Sequence, residues 1–189
     1  MKNRIWLYVV LIAVLGALVI WFALFDDENT TRPQLYDFTV EDTSAVDRIV
    51  IKDKRPMETV LTRSEDGWLV NDQYPVRPDA MEVLLETLKR QEMRSFAPEK
   101  AKQRVMNQMS TRGVEVIVES DGEQIKHFYV GGNAPDLLGT YMMIDGSDGP
   151  YLVHIPGFNG FLNTRYFADP ALWRDRSIVG ISAERIESV

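Results

Sequence analysis

Two kinds of hydrophobic pattern divide the chain. Residues 5–25, IWLYVVLIAVLGALVIWFALF, run 21 positions without a charge or a proline. Coiled as a helix, that run rises about 31 Å, which matches a bilayer hydrocarbon core of roughly 30 Å. Trp6 and Tyr8 lie near one end of it and Trp21 and Phe22 near the other, where aromatic rings favour the lipid–water interface. Beyond it the apolar positions come in short alternating stretches. Residues 48–51, 58–63 and 67–70 read as strands, and Asp66-Gly67 joins the last two as a hairpin. Pro78 opens the clearest helix, with Asp79 and Glu82 at its start and Met81, Leu84, Leu85 and Leu88 spaced as one apolar stripe. Glu86, Lys89 and Arg90 fall on the other side of it. A weaker helix is expected over 98–109, carried by Ala101, Val105 and Met109. Hairpins follow over 114–130, turned by Asp121-Gly122, and over 140–154. From Pro156 onward the pattern breaks into short helical or irregular pieces rich in aromatics. Strands and helices do not alternate as βαβ units would, so the expected class is α+β, antiparallel hairpins with two packed helices.

The flanks of the apolar run give it a direction. Lys2 and Arg4 precede it, and Asp26, Asp27 and Glu28 follow at once. The basic flank favours the cytoplasm, so the chain reads as a single-pass inner-membrane protein with its domain in the periplasm. A cleaved signal peptide has a shorter apolar core and small residues at the cut, whereas Ala23-Leu24-Phe25 ends in a bulky ring. With no cysteine anywhere, a lipoprotein anchor, a disulfide framework and thiol chemistry are excluded. Residues 1–25 are therefore a cytoplasmic stub and transmembrane helix, 26–36 a polar linker containing Arg32-Pro33, and 37–177 the domain. Phe38, Asp42, Val46 and Ile49 are echoed by Ile178, Ser182, Ile186 and Val189, so 178–189 is read as the start of a second, truncated module.

Charge narrows the partners. Two of the 21 basic residues and none of the 28 acidic ones lie in 1–25, which leaves 19 against 28, a net charge of −9, for the rest. That balance argues against nucleic acid. Gly131-Gly132-Asn133 lacks the spacing of a phosphate loop and reads as a hairpin exit. Asp145 and Asp148 invite calcium, but Pro156 stands where such a loop needs its bidentate Glu, and a turn is the better reading. His127 and His154 each sit on an expected strand, without the spacing of a zinc site and without a nucleophile elbow. No metal, no cofactor and no catalysis is expected. Trp173, Arg174 and Arg176, with Arg165 and Tyr166 just before them, form the densest mixed patch. They read either as ion pairs around a buried Trp or as a contact surface built from the residue types that dominate interfaces.

The stretches YDFTVEDTSAVDRIVI, GWLVNDQYPVRPDAMEVLLETLKR, FYVGGNAPDLLGTYMMIDG and HIPGFNGFLNTRYFADPALWRDRSI resemble the DUF4340 family, in particular its Bacteroidetes-type members with one N-terminal membrane helix. The resemblance spans Asp37 to Val189. It implies a longer full protein and an accessory envelope role, some members lying near genes for ABC transporters of the gliding-motility kind, and it supplies no catalytic residues. The expectation is thus a non-catalytic accessory or scaffold subunit that meets the lipid bilayer and other envelope proteins. The alternative is a ligand-binding domain for glycan or peptide through Tyr151, Phe158 and Phe161. A hydrolase is the third reading, and it requires a histidine beside a nucleophile in a cleft.

Overall fold

The computed structural model describes residues 14–16 and 36–177. The chain divides into two compact units, Met1–Gln34 and Leu35–Val189. In the first, residues 14–16 are helical. Among the described residues no helix is long and apolar enough to cross a membrane. Most of the 5–25 run, including Trp6, Tyr8, Trp21 and Phe22, lies outside them, as do the 26–35 part of the linker and the 178–189 echo.

The second unit is α+β and is built on one large antiparallel sheet. Its strands are β1 (Arg48–Lys52), β2 (Glu58–Ser64), β3 (Gly67–Val70), β4 (Tyr74–Pro75), β5 (Glu92–Phe96), β6 (Val114–Ser120), β7 (Glu123–Asn133), β8 (Thr140–Ile144) and β9 (Tyr151–His154). Their order across the sheet is β4-β3-β2-β1-β6-β7-β8-β9-β5. The three expected hairpins all form, β2 with β3, β6 with β7 and β8 with β9. They merge because β1 pairs with β2 on one side and β6 on the other, Ile49 facing Leu61 and Val118. That pairing joins residues about seventy positions apart, which local periodicity does not encode.

Alternation along the strands gives the sheet two faces. Ile49, Ile51, Val116, Phe128 and Met142 point to one, where helix α1 (Pro78–Arg90) lays Met81, Leu84 and Leu88 against them. Pro78 at the first turn, Asp79 beside it and Lys89 and Arg90 in the last turn suit the helix dipole. Tyr141 and Leu152 point to the other face, where helix α2 (Glu99–Arg112) contributes Val105 and Met109. The aromatic stretch after β9 crosses the first face as a strap. A 3₁₀ turn (Asn163–Arg165) and the short helix α3 (Pro170–Trp173, capped by Asp169) are its regular parts. Thr140 accepts from the Leu162 amide and Thr59 donates to the Ala168 carbonyl, both at 2.8 Å and both buried. Phe38-Thr39-Val40, strand-like in sequence, is extended chain tied to α1 by the Val40 amide on the Leu88 carbonyl.

Candidate functional site

A polar knot closes the space between α1, the strap and the N-terminal segment. Gln91, which ends α1 and has no exposed surface, donates from its amide side chain to the Phe38 carbonyl at 2.8 Å and accepts from the Tyr166 hydroxyl. Thr39 donates to the Gln91 carbonyl, and Arg165 Nη1 donates to Thr87 Oγ1 at 2.8 Å. Burial pushes the Tyr166 hydroxyl far above the usual tyrosine range, so it stays a donor. The knot fixes Arg165 at the surface, where its guanidinium lies 4.4 Å over the Phe158 ring.

Outside this knot opens a half-enclosed groove of about 1100 Å³ along the outer side of α1. Glu82, Val83, Glu86, Lys89 and Arg90 of α1 form one wall; Trp68, Pro75, Phe158, Arg165 and Asp175 complete it. Val83 stands in the middle of this otherwise charged row and is 46% exposed. Arginines stack on the aromatic rings of this region: Arg63 over Trp68 at 4.8 Å, Arg165 over Phe158, and Arg174 over Tyr74 at 3.9 Å. The groove therefore offers apolar surface between acidic and basic groups, which suits a segment carrying both.

The sequence-derived contact residues separate into two groups. Trp173 is fully buried, stacks on Phe167 at 4.1 Å and donates from its indole to the Phe167 carbonyl; Tyr166 is buried in the knot. Arg165 lines the groove, Arg174 lies on Tyr74, and Arg176 is exposed and donates to the Ala171 carbonyl. Of the three aromatics read as a ligand surface, Phe158 lines the groove, Tyr151 is buried and Phe161 is half-buried away from it. Trp68 was legible as an anchor of the sheet, and it packs on the core while also lining the groove. The signal for the groove was Val83, an apolar residue in the polar half of the α1 pattern.

The histidines meet carboxylates. On the second face His127 Nε2 lies 2.8 Å from Glu115, and Nδ1 lies 3.5 Å from Asp145. Tyr129 donates to Asp145 beside them, and burial first, then the Asp145 and Glu115 charges, push its hydroxyl up to about 12. His127 thus hydrogen-bonds Glu115 through Nε2 and has Asp145 near Nδ1, and among the described residues no serine or threonine hydroxyl is its partner. His154 Nε2 lies 3.5 Å from Glu92. The Asp145–Asp148 segment is a turn between β8 and β9, with Gly146 at φ +77. Among the described residues no group of three or more His, Asp or Glu is arranged to hold a metal ion.

Comparison with known proteins adds one match. No curated protein and no solved structure is similar to the chain at a significant level. The family model described as a domain of unknown function, DUF4340, matches residues 68–189. The match begins at Trp68, inside β3, whereas β1 and β2 complete the same sheet from earlier in the chain. Spanning the groove helix, the strap and more than half of the sequence, it shows that the chain belongs to the DUF4340 family.

Proposed function

We propose that this chain is a non-catalytic accessory or scaffold protein of the bacterial envelope, anchored in the inner membrane by residues 5–25, which binds a segment of another envelope protein along the α1 groove. The anchor rests on the length and flanks of the apolar run. The observation that carries the binding role is the groove itself, an apolar floor with Val83 and Phe158 exposed between Glu82, Glu86 and Asp175 on one hand and Lys89, Arg90 and Arg165 on the other. Aromatic and arginine side chains that a partner covers dominate interface energetics. The pairing of His127 with carboxylates, and with no hydroxyl nucleophile among its described partners, supports a binding role over a hydrolytic one.

A photo-crosslinking side chain at Val83 or Phe158 of the full chain, activated in native membranes, tests this. A discrete adduct from both positions, and none from a control at the exposed Ile125 of β7, is the expected result. Equal labelling from all three positions, or none from the groove, contradicts it. The volume and the Trp68 and Phe158 rings also favour a second reading, a glycan or peptide ligand. In that case soluble peptidoglycan fragments quench or shift Trp68 fluorescence, and a Trp68→Phe variant loses the response.

A further inference from the structure

The exposed large apolar side chains of the second unit include a set at the end of the sheet opposite β4. Among the described residues β5 is the edge strand there, paired only with β9. Phe96 at its end is 63% exposed and packs edge-on against Tyr36, ring centroids 5.8 Å apart. Arg94, midway along β5, reaches Asp136 and the Leu138 carbonyl, each at 3.4 Å, and so holds the β7–β8 loop beside the strand. That loop presents Leu138 and Leu137, the latter 62% exposed. Leu137 has φ +62, a left-handed conformation that costs a leucine about 1–2 kcal/mol. Strained backbone of this kind is concentrated at functional surfaces.

We propose that this β5 edge is a lipid-contact surface, with Tyr36, Phe96, Leu137 and Leu138 seated in the bilayer interface. The proposal rests on the anchored reading above. Only ten residues, 26–35, separate the apolar run from Tyr36. Fully extended they span at most about 35 Å, a tether short enough to let the Tyr36 corner reach the membrane surface. Aromatic and leucine side chains on an exposed edge are the types that enter that interface. A strand from a protein partner fits this edge poorly, because the register shifts between Met93 and Ser95 and breaks the outward ladder. The net charge of −9 beyond residue 25 makes apolar insertion, and not attraction to anionic lipid, the driving term.

The chain has no cysteine, so single-site spin labels can be placed cleanly. Phe96→Cys, Leu137→Cys, Val83→Cys and Val14→Cys variants of the full chain are labelled and reconstituted into phosphatidylcholine vesicles. Collision with oxygen, which concentrates in lipid, is compared with collision with a water-soluble nickel complex. The ratio at 96 and 137 is expected to be several-fold higher than at 83 and to fall between that value and the value at 14, which lies in the middle of the apolar run. A lipid-like signal at 14 with water-like signals at 96 and 137 overturns the proposal and leaves the anchor standing. A water-like signal at 14 overturns both. Low collision with both reagents at 96 and 137 assigns the edge to a protein contact and overturns the lipid assignment.

Discussion

Gln91 is polar and wholly buried, and its neighbours explain how it is tolerated. Its side chain both donates to Phe38 and accepts from Tyr166, so little hydrogen-bonding capacity is stranded. Replacing Tyr166 by Phe leaves the Gln91 oxygen without that donor in a site water does not reach. The expected loss is about 1–3 kcal/mol, seen as a melting temperature roughly 2–10 °C lower by circular dichroism. Tyr74→Phe, at an exposed ring, should change stability by less than about 0.5 kcal/mol. A tyrosine predicts the pH behaviour as well. In the unfolded chain its hydroxyl ionises near pH 10, whereas Tyr129 is held to about 12 by burial and by Asp145 and Glu115. Above about pH 10 the unfolded chain gives up a proton that the folded one keeps. This contribution is therefore complete below that pH and is lost as the pH climbs toward 12. Urea unfolding between pH 9 and 12 should show a shallower decline for Tyr129→Phe than for the parent. Equal slopes would contradict the assignment.

At the scale of elements, α1 was legible because its apolar stripe, first-turn Pro78 and last-turn Lys89 and Arg90 agree with one another. α2 was weaker in sequence, since only Val105 and Met109 are buried on it. Its packing depends on something the pattern of α2 itself cannot reveal, the close approach allowed by Gly131 in β7. A Cβ at Gly131 would lie 2.7 Å from Met109 Cγ and 3.0 Å from the Tyr141 carbonyl. Gly131-Gly132 is thus a docking place for a helix as well as the end of a hairpin. Gly131→Val should cost about 1–3 kcal/mol through overpacking. Amide exchange in Glu99–Arg112 should accelerate more than in α1; uniform acceleration across both helices would count against this local cause. β5 escaped sequence reading because EMRSF is mostly exposed and its bulge erases the alternation that marks a buried strand. β4, two residues of which the second is a proline, carries too little pattern to see.

For the whole molecule, the hairpins were written locally, but their order in one sheet was not. The β1–β6 pairing is settled by burying one continuous apolar face, a property of the central strands together. The groove was hidden for the same reason. Its residues come from the β2–β3 turn, β4, α1 and the strap, and only their packing brings Trp68 and Phe158 to the same groove as Val83. The tail patch around Trp173 was half legible, its tryptophan becoming core and its arginines surface. The proposed binding role stands on that groove as the place where this chain would meet a partner. Val83→Asp puts a carboxylate into its apolar centre, at an exposed helix position where stability should change little. The direct measurement is quantitative co-purification of the full chain from native membranes in mild detergent, parent against Val83→Asp, with both melting alike. The account predicts a partner that the parent retains and that Val83→Asp loses at least tenfold. An identical set of co-purifying proteins at equal yield would contradict it.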